Sequence, residues 1–364
     1  MPRFDIIRRA APAETFRVRS VMGSYDMTQS HTEERFTGEI DLPEQWNIGL
    51  IVGRSGTGKT TIARELFGDC IIDAYDYTHE SILDDMPASA SMQEITLALT
   101  SVGFASPPSW LKSYSMLSNG EKMRCDLARA MLEKRPVFVF DEFTSVVDRN
   151  VAKVGSLAMQ KAIRRNDQKF IAVTCHADVQ EWLMPDWIFN TDTMTFELCD
   201  LAEQKKNRPA IQLDIYETKH KREYWSMFRK YHYLNHEINT AARCFVCFAN
   251  GQLAAFTACL PLPHPKRRNL WKIHRTVVFP DYQGIGIATK MNDVIAQQFK
   301  NIGKDMSIVT SNRAMIQSMK NNKKWACRRV GRVSLCSDTG KIHNKTRKEA
   351  TSINRITTTF EYVG

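Results

Sequence analysis

The sequence predicts an α/β fold in two consecutive domains, and three observations carry that prediction. An apolar run, NIGLIV at 47–52, feeds a glycine-rich turn and then a helix-forming stretch. A second succession of strand, glycine turn and helix recurs at 272–299. The charge also changes sign along the chain: residues 1–200 hold 21 Lys and Arg against 29 Asp and Glu, a balance of −8, whereas residues 201–364 hold 29 against 11, a balance of +18. Two domains that meet different partners account for such a reversal more simply than one does.

Each half of the 364 residues is long enough to bury its own core. No stretch approaches the ~18 consecutive apolar residues of a membrane span, so no membrane partner is expected. The amino-terminal segment carries arginines, but Asp5 and Glu14 interrupt it and it lacks the apolar core of a secretion signal. Nine cysteines, an odd number spread over both halves, fit a reducing compartment, and a cytoplasmic location is the expectation.

In the first domain, expected at 1–203, the segment NIGLIVGRSGTGKTTIARELFG reads as a buried strand, a turn, and a helix beginning near Lys59. Gly53, Gly56 and Gly58, with Ser55 between them, let backbone N–H groups face a phosphate chain. Lys59 would reach the terminal phosphates, Thr60 would ligate Mg2+, and Thr61 completes the turn into the helix. Further on, VFVFDE (137–142) is a central strand ending in two acids. Asp141 would hold Mg2+ through water, and Glu142 would act as the general base on the attacking water.

The stretch LSNGEKMRCDLARAMLEKRPVFVFDEFTSVVD (117–148) resembles the signature helix, Walker B and D-loop succession of ATP-binding-cassette (ABC) ATPases. Asn119 and Glu121 depart from that family's LSGGQ pattern, while Arg124 and the run 128–130 match it. The resemblance implies that Ser118 and Gly120 meet ATP held on a partner's P-loop, giving an ATP-dependent homodimer, and that Asp148 is the D-loop aspartate. It implies too that His176, after FIAVTC, is the switch histidine. Gln93 takes the glutamine position that joins core to helical subdomain, with a part in holding Mg2+, because no other glutamine lies in the interval. An aromatic residue that stacks on adenine should come from the amino-terminal strands; Phe16 and Tyr25 both qualify. Without membrane motifs, the cassette is similar to those used in DNA repair, chromosome maintenance or translation.

After the polar linker LAEQKKNRPA (201–210), YWSMFRKYHYLN (224–235) reads as an amphipathic helix, and RCFVCFANGQLAAFTACL (243–260) as two strands turning at Asn250 and Gly251. Cys244 and Cys247 form a CxxC within a strand, a setting that argues against zinc. Residues 283–288, QGIGIA, match the Q/R-x-x-G-x-G/A loop of the GNAT acyltransferases, and a further strand (SIVTS, 307–311) and helix (AMIQSMKNNKKW, 314–325) follow in that family's order. The resemblance implies an acetyl-CoA or other acyl-CoA site made by Gln283, Gly284, Gly286 and Ala288, with Val278 on the strand that leads into it. The glycines allow N–H groups at the helix start to approach a pyrophosphate. The helix where many GNATs carry an acidic tyrosine has none here. Tyr231, His232, Tyr233, His236, His264 and His274 form the pool for a base, and Ser311 and Asn312 stand where substrate-facing groups are expected.

The expected class is therefore α/β: a P-loop ABC-type ATPase domain at 1–203, an α+β GNAT-like acyltransferase domain at 204–335, and a basic C-terminal extension at 336–364 that forms an edge hairpin or a nucleic-acid-binding tail. The basic groups at 266–268, 323–324, 328–332 and 345–348, interleaved with Trp271 and Trp325, predict a nucleic-acid partner, DNA or RNA. The segments HYLN (232–235) and RTVVFPDYQG (275–284) are similar to GNAT-like proteins of phages and prophages linked to nucleobase modification, including Mom-type DNA modifiers. That similarity implies acyl transfer to an exocyclic base amine. Two alternatives remain: an acetyltransferase for a protein or small amine with the cassette as a regulatory dimer switch, and a cassette ATPase whose GNAT fold is a non-catalytic binding module.

Overall fold

The computed structural model describes residues 3–10, 15–27, 32–72, 74–232, 237–332 and 356–364. In chain order the first elements are β1 (Arg3–Ala10), α1 (Phe16–Ser24), β2 (Thr32–Glu39), β3 (Ile48–Val52) and α2 (Lys59–Phe67). An arm of helices follows: α3 (Met92–Ser101), α4 (Pro107–Trp110) and α5 (Asn119–Leu132). Then come β4 (Val137–Phe140), α6 (Arg149–Asn166), β5 (Lys169–Thr174), α7 (Gln180–Leu183), β6 (Trp187–Asn190), β7 (Thr195–Leu198) and α8 (Leu201–Asn207). The remainder is β8 (Leu213–Thr218), α9 (Lys221–Phe228), β9 (Arg243–Ala249), β10 (Gln252–Pro261), β11 (Leu270–Val278), α10 (Ile287–Asn301), β12 (Asp305–Thr310), α11 (Arg313–Lys320), β13 (Trp325–Arg332) and β14 (Ile356–Tyr362). Contacts divide these into two compact units. One holds Met1–Tyr75, Arg135–Val146 and Ile163–Arg208; the other holds Asp76–Lys134, Val147–Ala162 and Pro209–Gly364.

The first unit is built on a five-stranded sheet of order β4-β5-β3-β6-β7, in which only β7 is antiparallel to its neighbour. All five residues of β3 are buried, as expected of a strand covered on both faces. Gly49 lies under Trp187, and a Cβ there would stand 2.1 Å from the indole, so only glycine fits. The Asp186 carboxylate accepts the N–H groups of Asn47 and Ile48, each at 2.8 Å, and pairs with Arg164. Because β3, β4 and β5 are parallel, their carboxyl ends open on one edge, the place where such sheets bind ligands. A ribbon of β1 and β2 supports the turn after β3 through Phe36.

The second unit is built on a seven-stranded sheet of order β13-β14-β12-β11-β10-β9-β8. Its strand β11 runs parallel to β12 only from Leu270 opposite Asp305 to Ile273 opposite Ile308; beyond that, β11 continues to Val278 without this partner. Side chains alternate between two cores. Phe245, Cys247, Ile273, Met306, Ile308 and Phe360 face α10, while Cys244, Val246, Phe256, Ala258 and Val277 face α9. Asn250 and Gly251 turn β9 into β10 with φ of +49° and +80°, the left-handed pair a tight hairpin needs. In the arm, α3 packs on α5, and α11 packs on α3.

Several expectations are corrected here. Residues 356–362 are not a tail or an edge: β14 pairs with β12 on one side and β13 on the other, with Phe360 fully buried. The polar alternation of TTTFEY conceals this, because Thr358, Phe360 and Tyr362 point inward together. Phe16 and Tyr25 lie in and just after α1, not in a strand, and both are exposed. Arg267 is no free loop cation, since it pairs with Asp305 and Glu361. Trp325 is buried and donates its indole N–H to Asp293 at 2.6 Å, and Trp271 packs on Phe299, so neither is a stacking platform. The helix expected across 224–235 stops at Phe228 and tightens into a 3-10 turn. Tyr233, His236 and the basic group at 345–348 lie outside the described residues.

Candidate functional site

Three loops meet the open edge of the five-stranded sheet. After β3, Gly56 and Gly58 take φ of +85° and +81°, and Gly58 caps α2. A Cβ at Gly58 would come within 2.6 Å of the Phe36 ring, whereas the Cβ side of Gly56 is open. Lys59 is buried, and its Nζ donates to the Arg54 carbonyl at 2.8 Å, spanning the turn. Thr57 Oγ1 donates to the same carbonyl at 2.9 Å and meets Thr191 Oγ1 at 2.6 Å. A Cβ on Gly53 would strike Thr191 Oγ1. The backbone N–H and Nε of Arg54 donate to Asp192, whose carboxyl is thereby held below its usual range. Sequence reasoning missed Phe36, Thr191 and Asp192; no motif marks them, and only the sheet brings them to the turn. Ser55 is exposed, and Thr60 and Thr61 are half-buried at the start of α2.

At the end of β4, Asp141 Oδ1 accepts the N–H of Glu142 at 2.9 Å. Glu142 and Thr144 have φ of +53° and +67°, unusual for residues with a Cβ and strained for a β-branched one. The Phe143 N–H, donating to the Val173 carbonyl at 2.8 Å, locks the turn to β5 and leaves Glu142 exposed. His176 follows β5, half-buried, its N–H donating to Thr174 Oγ1 at 3.1 Å. The glycine turn, Asp141, Glu142 and His176 thus belong to three neighbouring parallel strands.

The second unit carries Ser118, Gly120, Asp148 and Gln93. Ser118 caps α5 and Glu121 reaches back to the Ser118 N–H at 3.0 Å, forming a capping box. The departure from the LSGGQ pattern at Glu121 therefore has a structural use. Gly120 is buried against Val151, where a Cβ would stand 3.2 Å away. The segment before Ser118 is fixed by Tyr77 and Tyr114, stacked at 4.0 Å, whose hydroxyls both donate to Asp126 at 2.9 and 2.7 Å. Asp148 accepts the N–H groups of Asn150 and Val151 at the start of α6. Gln93 is exposed on the first turn of α3, behind the capping box of Ser91 and Glu94.

The glycine loop at 283–288 has the same local form as the first. Gly284 and Gly286 take φ of +83° and +97°, and Gly286 caps α10, leaving the first N–H groups of a 15-residue helix without intrahelical partners. Gln283 Nε2 donates to the Val278 carbonyl at 2.9 Å, tying the loop to the end of β11. Ala288 lies in the first turn of α10. The gap where β11 leaves β12 is bordered by His274, whose pKa burial, then the cations of Arg275 and Lys272, push down to about 4. Ser311 begins the turn from β12 to α11, and Asn312 caps that helix.

Tyr231 and His232 lie on the α9 face instead. Tyr231 packs edge-on to Phe279 at 5.7 Å, and buried His232 packs edge-on to Trp225 at 5.6 Å. Arg275 stacks over the same indole at 4.8 Å. No contact recorded among the described residues brings Ser311 to that pair. Cys244 and Cys247 are buried strand residues on opposite faces of the sheet, with burial raising both thiols to about 11. No cluster of metal-ligating side chains occurs among the described residues.

Residues 177–320 match the model of the acetyltransferase (GNAT) family. That match spans under half of the 364 residues. The match begins before the GNAT sheet does, since β6 and β7 are hydrogen-bonded into the sheet of β3 and the seven-stranded sheet opens at Leu213. A stretch of 119 residues is 33% identical to the NU+ prion formation protein 1 of Saccharomyces cerevisiae, covering 27% of this chain and 10% of that one. Another, of 181 residues, is 26% identical to the ATP-dependent lipid A-core flippase of Shewanella oneidensis, covering 38% and 29%. The chain thus spans under a third of either relative. Among solved structures, a dimeric bacterial ABC transporter cassette matches at 14% identity and a TM-score of 0.34, over 43% of this chain and 87% of that one. A bacterial Atm1-family ABC exporter with ATP bound matches at 18% and 0.34, over 49% and 38%. No described helix is long and apolar enough to cross a membrane.

Proposed function

We propose that the protein is an ATP-hydrolysing ABC-type ATPase joined to an acyl-CoA-dependent N-acyltransferase that modifies nucleobases of DNA or RNA. The observation that carries the two-ligand reading is that each unit opens a helix with a left-handed glycine pair in the turn that follows a sheet strand, directly after buried β3 in the first and after a short 3-10 turn beyond β11 in the second, the arrangement that turns backbone N–H groups toward phosphate. In the first unit, Gly53, Ser55, Gly56, Gly58 and Thr61 would cradle the phosphates and Lys59 would leave the Arg54 carbonyl to meet them. Thr60 and Asp141 offer hard oxygen donors suited to Mg2+, which would neutralise charge on the phosphates, and Gln93 of the other unit offers a further oxygen of the same kind. Glu142, exposed at the strand end, would take the proton of the attacking water, and His176 would face the terminal phosphate. Ser118, Gly120 and Asp148 would serve the second copy in a homodimer.

In the second unit, Gly284, Gly286 and Ala288 would present N–H groups to a pyrophosphate, with Gln283 and Val278 holding the loop. The gap between β11 and β12 would admit the acyl arm. A neutral His274 suits a base there, and Tyr231, His232 and Ser311 remain candidates for acceptor contacts. The balance of +18 beyond residue 200 favours a polyanionic acceptor and disfavours a basic one. A duplex base would have to be flipped out for this chemistry, which gives ATP turnover a task.

The deciding experiment is ATP hydrolysis with and without DNA and RNA, alongside a Glu142→Gln control, followed by a search of the stimulating polymer for an acylated base. Stimulation by one polymer supports the reading. No binding to either polymer at low salt overturns it and favours a protein or small-amine acceptor.

A further inference from the structure

The glycine loop at 283–288 is buttressed by the cassette's helical arm. The end of α3 closes as a Schellman turn: the Gly103 N–H donates to Thr100 at 3.2 Å, the Phe104 N–H to Leu99 at 2.8 Å, and Gly103 has φ of +86°. This turn lies directly on the loop. A Cβ on Gly284 would stand 2.7 Å from Gly103 Cα and 3.0 Å from Ala158 Cβ of α6, and a Cβ on Gly103 would stand 2.8 Å from the Gln283 carbonyl. The Ala105 N–H donates to Gln283 Oε1 at 2.7 Å, so one amide side chain fastens the loop both to β11 and to the arm. Lys161 of α6 donates to the Ile285 carbonyl at 3.3 Å. Asn150 of α6 and the Tyr282 hydroxyl both donate to Gln252 Oε1, at 3.0 and 2.6 Å.

Arg124 of α5 is 1% exposed, with no hydrogen-bond partner for any of its three side-chain nitrogens among the described residues, and its guanidinium lies against Gly120, 3.6 Å from where a Cβ there would stand. Burial pushes the Arg124 guanidinium below its ordinary range, and the negative charges of Asp281, then Glu121 and Asp148, oppose that shift. Asp281 belongs to the turn leading into the loop. Glu121 and Asp148 belong to the segments that carry Ser118 and begin α6. A guanidinium so buried depends on nearby carboxylates for its charge, so a shift of α5 or of the Asp148 turn changes what Asp281 must balance.

We propose that the arm and the first turns of α6 position the acyl-donor loop, and that Arg124 and Asp281 link acyl-CoA binding at that loop to ATP engagement at the signature segment. This rests on the ATP and acyl-CoA readings given above. Arg124 and Asp281 are positioning residues that touch neither ligand. Linkage of this kind is reciprocal: ATP must change acetyl-CoA affinity by the factor by which acetyl-CoA changes ATP affinity.

The test uses full-length protein carrying Glu142→Gln, so that ATP is held. Acetyl-CoA is titrated calorimetrically with and without Mg-ATP, and hydrogen exchange is followed across 281–288 and 102–106 in the same samples. The expected result is a change in acetyl-CoA affinity of at least about fivefold, with a matching change in ATP affinity and in the exchange of both segments. Adding Asp281→Asn, at an exposed position, should shrink the change to below about twofold while ATP retention and thermal unfolding persist. Equal affinity and unchanged exchange with ATP overturn the proposal. Exchange that responds to ATP without acetyl-CoA binding in either state supports the linkage and overturns the acyl-donor reading. Failure to retain ATP overturns both.

Discussion

At the scale of single residues, the two acids after β4 are separated by backbone geometry rather than by distance. Asp141 continues the strand and spends one oxygen on the next N–H, whereas Glu142 is thrown outward by a left-handed φ. If Glu142 is the general base proposed above, Glu142→Gln should lower ATP turnover about 10²- to 10⁴-fold while ATP is still retained on a filter, the pattern of a lost base. Gly58→Ala should abolish retention itself, because the new methyl meets the Phe36 ring in a conformation alanine avoids. His274 gives a pH signature. Its folded pKa, near 4, lies below the ordinary 6.5, so between these values the unfolded chain takes up a proton that the folded chain does not. Stability should fall as pH drops from 6.5 to 4, and His274→Gln should flatten that slope in urea midpoints.

At the scale of elements, α5 is held at its start by the Ser118 and Glu121 capping box and, before it, by the two tyrosines on Asp126. Ser118→Ala should cost about 1 kcal/mol through the lost cap. A loss of ATP turnover much larger than that melt shift explains would point to a ligand contact at Ser118; turnover that falls only with stability would leave it a cap. The motif strings made β3, α2, β4, β9, β10 and α10 legible, since each combines an apolar period with a turn signal. The fate of TTTFEY was not legible, because three inward positions of a strand shared with polar residues look like a solvated tail.

At the scale of the molecule, β14 closes the seven-stranded sheet between β12 and β13. Removing 356–364 deletes buried Phe360 and Tyr362 and leaves both neighbours with open ladders, so the truncated chain should lose cooperative unfolding of the GNAT sheet in a thermal scan. The basic surface makes a separate prediction. If phosphates are the partner, affinity for a nucleic acid should weaken by at least about tenfold between 50 and 200 mM salt, measured by anisotropy; an affinity insensitive to salt would remove the electrostatic basis of the proposal. The two compact units do not follow chain order, since the arm at Asp76–Lys134 is grouped with the GNAT sheet.

The sequence by itself determined both glycine turns, their strands and helices, and the acids after β4, because each is a local pattern in which a few adjacent residues suffice. Only the tertiary structure decided that Phe36, Thr191 and Asp192 wall the first turn. It alone placed β14 in the middle of a sheet and set Gly103 and Ala158 against Gly284. These are meetings of residues far apart in the chain, each conspicuous for nothing where it stands. A glycine that ends a helix looks the same whether it faces water or another backbone, and only the packed fold distinguishes the two.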